Sequence, residues 1–100
     1  MSYEIVYGQG AIEQLLRVVT RQHVDCFDAA MRRLAGDPGI ARQGQSVVEL
    51  HGRVYRPQEY VFRCGEHPGG AVRFQVDFLF DETEHQLQVI GVTSMPSYLL

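Results

Sequence analysis

The chain contains no lysine, and all nine of its basic residues are arginine. Together with 12 acidic residues, they give a formal net charge of -3. Proteins that bind polyanions without specificity are usually basic, so this charge argues against that class. A GC-rich genome is the simpler explanation of the arginine-only usage. Any phosphate bound here must nevertheless be held by guanidinium groups, which form forked hydrogen bonds and stay charged.

Long hydrophobic runs are also absent, since no stretch approaches the roughly 20 apolar residues of a membrane span. The N-terminal residues lack the basic start and apolar stretch of a secretory signal. We therefore expect a cytoplasmic protein without membrane contact. The two cysteines, Cys26 and Cys64, fit that compartment as reduced, buried thiols, because a core of this size does not need a disulfide. A disulfide between them is an open alternative at this point.

The 100 residues, 45% of them hydrophobic, predict one domain over residues 1–100 with a single core. The segment Tyr3–Tyr7 predicts a first strand. Two apolar stripes at helical spacing then predict a hairpin of two helices rather than one bent helix: Ile12, Leu15, Leu16 and Val19, followed by Val24, Phe27, Met31 and Leu34. Thr20 is expected to cap the second helix, and Gly36 to end it in the left-handed conformation before Pro38.

From Ser46 onward the pattern predicts strands separated by turn residues: "SVVELHGRVY", "EYVFRCG", "AVRFQVDFLFD" and "HQLQVIGVT". The preceding "IARQGQ" predicts a loop. Consecutive strands with short links form an antiparallel meander, here of three to four strands. An N-terminal strand, two helices and then a run of strands indicate an α+β fold, with the helices packed on one face of the sheet.

Every even position from Ala71 to Asp81 is apolar, which predicts a strand with one buried face. That face comprises Val72, Phe74, Val76, Phe78 and Phe80, with Tyr60, Phe62 and Cys64 from the neighbouring strand. The opposite face is expected to carry Glu59, Arg63, Arg73, Gln75 and Asp77, with Glu49 and His51 nearby if the preceding segment pairs in order.

Motifs for cofactor or metal binding are missing. The G-x-G after the first strand fails as a dinucleotide site, because Glu13 occupies the third small position. The four histidines have no zinc-like spacing and are expected on the surface or in turns. No P-loop, G-x-S-x-G or paired-carboxylate pattern is present. We therefore predict no cofactor and no metal, and keep His51 as a candidate general base.

Arg63 and Arg73 form the strongest candidate constellation. Carried on adjacent strands, they could grip one phosphate and compensate its charge in a transition state. The alternative is that they form cross-strand ion pairs with Glu59 and Asp77, which contribute about 0.2–1 kcal/mol each. From the residues alone, the ion pairs are the simpler interpretation.

The order of elements, together with "ELHGRVYRPQEYVFRCG" and "GGAVRFQVDFLFDETEHQLQVIGVTSMP", resembles the RelE/ParE superfamily of bacterial type II toxin–antitoxin toxins. Leu50 and Gly52 match a Leu-x-Gly element, "EYVFR" and "VRFQV" match the next two strands, and "DETE" matches an acidic turn. The resemblance covers nearly the whole chain. It implies a RelE/ParE-like fold and a growth-inhibiting toxin.

For the ribosome-dependent ribonuclease branch, the resemblance implies mRNA cleavage by in-line attack of a 2′-hydroxyl. Arg73 matches the arginine that stabilises the phosphate, Arg63 a basic position of the preceding strand, and Tyr98 a C-terminal aromatic that stacks on a base. With His51, these are the predicted catalytic residues. Val61 replaces a second basic residue, and "TSMP" replaces a closing basic pair. Removing one such contact typically lowers the rate about 10²–10³-fold.

Three functions remain open at this point. The first is a RelE-like, RNA-binding endoribonuclease, and the second is a ParE-like toxin that inhibits DNA gyrase without catalysis. The third is a catalytically silent protein-interaction module on the same fold, favoured by the acidity of the chain. The expected partners are a cognate antitoxin laid along the helices or sheet, and the ribosome with mRNA, or gyrase, as the target.

Overall fold

The computed structural model describes residues 2–65 and 70–96. Their elements, in chain order, are β1 (Glu4–Tyr7), α1 (Gln9–Val18), α2 (Val24–Gly36), a short 3-10 helix (Pro38–Ile40), β2 (Arg42–Gln43), β3 (Val48–Leu50), β4 (Arg53–Tyr55), β5 (Gln58–Cys64), β6 (Val72–Asp81) and β7 (Gln86–Pro96). Two helices combined with a mostly antiparallel sheet make this an α+β fold, as the sequence predicts. No helix within the described residues is long and apolar enough to cross a membrane.

The main sheet has five strands in the order β1-β7-β6-β5-β2. The meander β5-β6-β7 is antiparallel, whereas β1 pairs with β7 in parallel. A bulge between Asp77 and Phe78 shifts the register of β6 on β7, so Asp77 pairs with Gly91 and Phe78 pairs with Val89. Because of the bulge, the core-facing positions of β7 change from odd-numbered to even-numbered residues. Leu87 and Val89 face the core before the bulge and Val92 faces it afterwards, and all three are buried.

The core lies between the helices and one face of this sheet, as predicted. Phe74, Val76 and Phe78 of β6 are fully buried, and Phe27, Met31 and Leu34 of α2 are buried against the sheet. The rings of Phe27 and Phe74 pack edge to face with centroids 5.4 Å apart. Burial of such side chains stabilises the fold by about 1.5–3 kcal/mol each, so the even face of β6 is committed to the core.

The inward face of α1 differs from the prediction by one position. Leu16 is 77% exposed and Ile12 is 44% exposed. The residues that face the sheet are Ala11, Gln14, Leu15 and Val18, which also have the spacing i, i+3, i+4, i+7. Gln14 belongs to this face because α1 runs beside β7 beyond the end of β1, where its side-chain oxygen accepts a hydrogen bond from the Val92 N–H at 2.8 Å. Because Gln14 is polar, a search for apolar residues at helical spacing does not identify the inward face of α1.

The turn between the helices also differs from the expectation. Thr20 does not cap α2, which begins at Val24. Its hydroxyl instead lies 3.3 Å from Nδ1 of His23. His23 lies in this turn, one of the two kinds of position expected for the histidines, and it is buried there, with its Nε2 donating to the carbonyl of Gly70 at 3.1 Å. The ring therefore connects the helical turn to the start of β6.

The end of α2 was expected to be a left-handed glycine, and this is wrong. Gly36 is the last helical residue and does not have a positive φ, and Asp37 follows it as the C-cap with φ at -149°. Pro38 then begins the 3-10 helix, so it does bar continuation of α2 as predicted.

Cys26 and Cys64 form a disulfide, which corrects the prediction of reduced thiols. The two residues face each other because α2 packs over β5 at the end of its buried face, with their Cα atoms 5.8 Å apart. Chain length and cysteine count indicate whether a core needs a covalent bond, but they carry no information about which residues lie close together in the fold. The bond also removes the reduced thiols from the case for a cytoplasmic location.

The predicted strand "SVVELHGRVY" is in fact a hairpin, in which β3 and β4 form a two-stranded sheet of their own. The turn between them is His51-Gly52, and both residues have positive φ, 52° and 77°. This combination is typical of a type I′ hairpin turn. The expected pairing of this segment with the main sheet is therefore wrong. The "IARQGQ" loop contains the short edge strand β2, which pairs with the start of β5.

Candidate functional site

The sheet face opposite the helices, called the open face below, carries polar side chains in rows across the strands. The register aligns Arg63 of β5 with Arg73 of β6, and Arg73 with Met95 of β7. The next row consists of Val61, Gln75 and Thr93, and the row after it of Arg42, Glu59, Asp77 and Gly91. The predicted open-face residues of β5 and β6 thus do share one surface.

Arg63 and Arg73 lie directly opposite each other. Directly opposed side chains on antiparallel strands have Cβ atoms about 4.5–5.5 Å apart, and like charges in this arrangement are destabilising. Arg63 is exposed and Arg73 is partly buried. Among the described residues, the ion pairs of the protein are Asp28–Arg32 and Arg42–Glu59, so neither arginine of the opposed pair takes part in one.

The carboxylates that were expected to pair with these arginines have other partners. The Gln75 amide donates to Oε2 of Glu59 at 3.1 Å and to Oδ1 of Asp77 at 3.0 Å. Arg42 donates to Oε1 of Glu59 at 3.0 Å. The predicted cross-strand ion pairs are therefore absent among the described residues, and Gln75 takes the place of a cation between the two acids.

Glu59 and Asp77 are a carboxylate pair that motif inspection missed. Burial raises the pKa of Asp77, the hydrogen bond from Gln75 opposes this change, and the nearby charge of Glu59 adds to it. Their alternation with apolar residues was visible in the sequence, but their alignment depends on the register of β5 on β6. That register is set by the intervening turn, which a strand pattern does not determine.

A cavity of about 250 Å³ opens beside this carboxylate pair. Its other walls come from Gln14, Ser46, Val48, Ile90 and Thr93. Gly91 also lines the cavity, and a Cβ added to it would lie in ordinary contact with Asp77, 3.4 Å from Oδ2. No group of three or more potential metal ligands occurs within the described part of the chain. The open face therefore has two ends: arginines at one, and internally bonded carboxylates about 13 Å away, four strand residues along β6.

The other two predicted catalytic residues are His51 and Tyr98. His51 occupies the turn of the β3–β4 hairpin and is exposed, so the strand pairing that was to bring it beside the open face does not exist. Tyr98 lies outside the described residues. Arg63 and Arg73 are thus the two predicted site residues that the structure brings together.

Comparison with known proteins adds no further constraint on the function. The chain matches no protein-family model, no curated protein and no solved structure. The site must therefore be interpreted from its own geometry.

Proposed function

We propose that the open face binds RNA phosphate groups through Arg63 and Arg73, and that the protein is a RelE-like toxin of a type II toxin–antitoxin system acting on translated mRNA. The observation that carries this proposal is the direct opposition of two arginines that form no ion pair with the described residues. The order of a strand, two helices and a meander is compatible with that family.

An anion between the two guanidinium groups would convert their repulsion into attraction. Each guanidinium offers a rigid fork of donors that matches two phosphate oxygens. Partial burial of Arg73 strengthens the interaction, because a charge pair gains more energy where the effective dielectric constant is lower. The arrangement thus favours one phosphate held by both side chains.

The surroundings of the arginines favour a single strand over a duplex. Val61, Thr93 and Met95 lie in the same or the next row, and the 41% exposed Met95 offers an apolar surface to an unstacked base. The carboxylates at the other end repel a backbone that extends in their direction. A polyanion is therefore restricted to one end of the open face, whereas a non-specific binder uses a continuous basic surface.

In a ribonuclease, the two arginines would stabilise the charge that develops on the phosphate during in-line attack by the 2′-hydroxyl. No histidine or carboxylate is present in their row or in the adjacent row of described strand residues. The proposal therefore assigns charge stabilisation, and not proton transfer, to these two rows. Arg73→Ala should abolish this stabilisation without removing a buried apolar group.

Tightly regulated expression in a bacterial host tests the proposal, with growth and the integrity of a translated mRNA measured together. We expect growth arrest and mRNA cleavage with the wild type and with Arg53→Ala, a control at an exposed position on β4. Both effects should disappear with Arg73→Ala at equal soluble protein level. Arrest with intact mRNA that Arg73→Ala does not relieve would favour gyrase inhibition. Normal growth with the wild type would favour the silent interaction module.

A further inference from the structure

The Cys26–Cys64 disulfide lies next to the arginine pair of the open face. Cys64 directly follows Arg63 at the end of β5, and Sγ of Cys26 lies 3.6 Å from the carbonyl oxygen of Arg63. Cys26 itself belongs to the first turn of α2. The bond therefore fastens the part of β5 that carries Arg63 to the start of a helix.

The strands of Arg63 and Arg73 are not held equally. β6 lies between β5 and β7, and Arg73 pairs with a residue on each side, Arg63 and Met95. On its outer side, β5 pairs with a strand of the described chain only at Gln58 and Glu59, where β2 lies beside it. Beyond Glu59, what holds β5 besides β6 is its packing against α2, which includes the disulfide. Loss of the bond should thus loosen Arg63 and leave Arg73 in place.

The contacts that remain after reduction hold β6 better than they hold the end of β5. His23 donates to the Gly70 carbonyl at 3.1 Å, so the chain before β6 stays joined to the turn between the helices. For the end of β5, a reduced Cys26 thiol could offer the Arg63 carbonyl only a weak S–H hydrogen bond. Phe62, one residue before Arg63, still packs against the core. The loosening should therefore be confined to the last two residues of β5.

We propose that the Cys26–Cys64 bond is a redox switch of the phosphate site: the oxidised form holds Arg63 opposite Arg73, and reduction by a dithiol releases Arg63. This inference rests on the proposed RNA binding of the open face and adds a control of that binding. The reduced form keeps Arg73 on the central strand, so RNA binding becomes weaker but is not lost. Loss of one charge-assisted contact should lower the affinity about tenfold.

The two sulfur atoms differ in their accessibility to a reductant. Cys64 is 1% exposed, whereas Cys26 is only partly buried. A thiolate of the dithiol therefore attacks Sγ of Cys26, the S–S bond breaks, and its electron pair goes to the Cys64 sulfur, which takes up a proton. The second thiol of the reductant then attacks the reductant sulfur bound to Cys26, releases Cys26 as a thiol and closes a disulfide in the reductant. Two electrons and two protons pass to the protein, and oxidation by a disulfide reverses both steps.

Backbone ¹⁵N relaxation and RNA binding test the switch, each measured on oxidised protein and on protein reduced with dithiothreitol. On reduction, the order parameters of residues 63–64 should fall from about 0.85 to below about 0.6, while those of β6 and β7 stay unchanged. The affinity for a single-stranded RNA should fall about tenfold. The Cys26→Ala/Cys64→Val protein, in which valine fills the buried position, should bind like the reduced wild type with and without dithiothreitol. Val92→Ala, at a fully buried position of β7, lowers stability without touching the bond and should keep the oxidised affinity.

Equal order at residues 63–64 in both redox states would overturn the inference. A loss of order throughout β6 and β7 would also overturn it, because the bond would then support the whole fold and not one end of the sheet. Equal RNA affinity of the oxidised and reduced proteins would overturn the control of binding. If the oxidised protein binds no RNA, the proposed function fails, and the order of residues 63–64 alone decides whether the bond holds this end of β5.

Discussion

Arg63 and Arg73 face each other across β5 and β6, and their guanidinium groups form no ion pair with the described residues. A charge arrangement that opposes folding persists where it serves binding, because selection for function tolerates a local loss of stability. The pair therefore connects a stability measurement to the proposed phosphate site.

Replacement of Arg63 by threonine should stabilise the protein while it weakens RNA binding. Removal of the repulsion should raise the free energy of unfolding by about 0.2–1 kcal/mol. The affinity for a single-stranded RNA should fall, and its logarithmic salt dependence should decrease by about 0.7 for one lost phosphate contact. Urea denaturation and binding at several salt concentrations measure the two effects. Arg53→Thr should change neither, and a destabilised Arg63→Thr protein would contradict the repulsion.

The pH dependence of stability should contain a contribution from Asp77. Because burial raises its pKa, with Glu59 adding to the effect and Gln75 opposing it, the folded protein holds this proton more tightly than the unfolded chain does. The stabilising contribution is therefore complete below the usual aspartate pKa of about 3.9 and is lost as the pH rises through the folded value. Asp77→Asn keeps an acceptor for Gln75 and should be more stable than the wild type at neutral pH.

Urea denaturation at a series of pH values from acidic to neutral measures this contribution. The difference between Asp77→Asn and the wild type should grow as the pH rises. Asp37→Asn, at an exposed carboxylate after α2, supplies the control. If the difference in free energy of unfolding between Asp77→Asn and the wild type stayed constant across the pH series, Asp77 would not be the source of the pH dependence.

Reduction of the Cys26–Cys64 bond should lower stability substantially. The bond joins residues 38 positions apart, and the entropy of closing such a loop corresponds to about 4 kcal/mol at 25 °C. Urea denaturation with and without a reducing agent should show that loss in the wild type. The Cys26→Ala/Cys64→Ala protein should be equally stable under both conditions, and equal wild-type stability in both would contradict the bond.

His51→Asn should leave the fold, RNA binding and any RNA cleavage unchanged. Asparagine adopts positive φ more easily than most residues, and Asn-Gly is a favoured pair in a type I′ turn, so the hairpin is preserved while the imidazole is removed. The assays are thermal unfolding and the mRNA integrity measurement described above. Loss of cleavage in a stable His51→Asn protein would restore His51 as a general base.

The strand pattern of β6 was the most informative part of the sequence. Its strict alternation predicted the buried Phe74, Val76 and Phe78 and placed Arg73 on the other face, because a strand between two strands can bury only one parity of residues toward the helices. The α+β order followed from the same periodicity. Which open-face residues align across strands could not be predicted, since this depends on strand register.

The errors arose where a polar residue or a distant neighbour determined the structure. The inward face of α1 is shifted by one residue from the prediction because Gln14 faces the sheet. Its side-chain oxygen accepts a hydrogen bond from the Val92 N–H at the edge of β7. The disulfide depends on the packing of α2 over β5, and the β3–β4 hairpin depends on a histidine that accepts positive φ. None of these features changes the hydrophobic periodicity on which the predictions relied.

The parallel pairing of β1 with β7 has a consequence for the order of folding during synthesis. Gln86 donates a side-chain hydrogen bond to Glu4, 82 positions earlier in the chain. The first strand therefore leaves the ribosome long before the strand that completes it, and the sheet cannot close until β7 has emerged. Until then, Ile5 and Tyr7 have no strand to pack beside, and a nascent chain stalled before β7 offers an unpaired edge to chaperones or to other stalled chains.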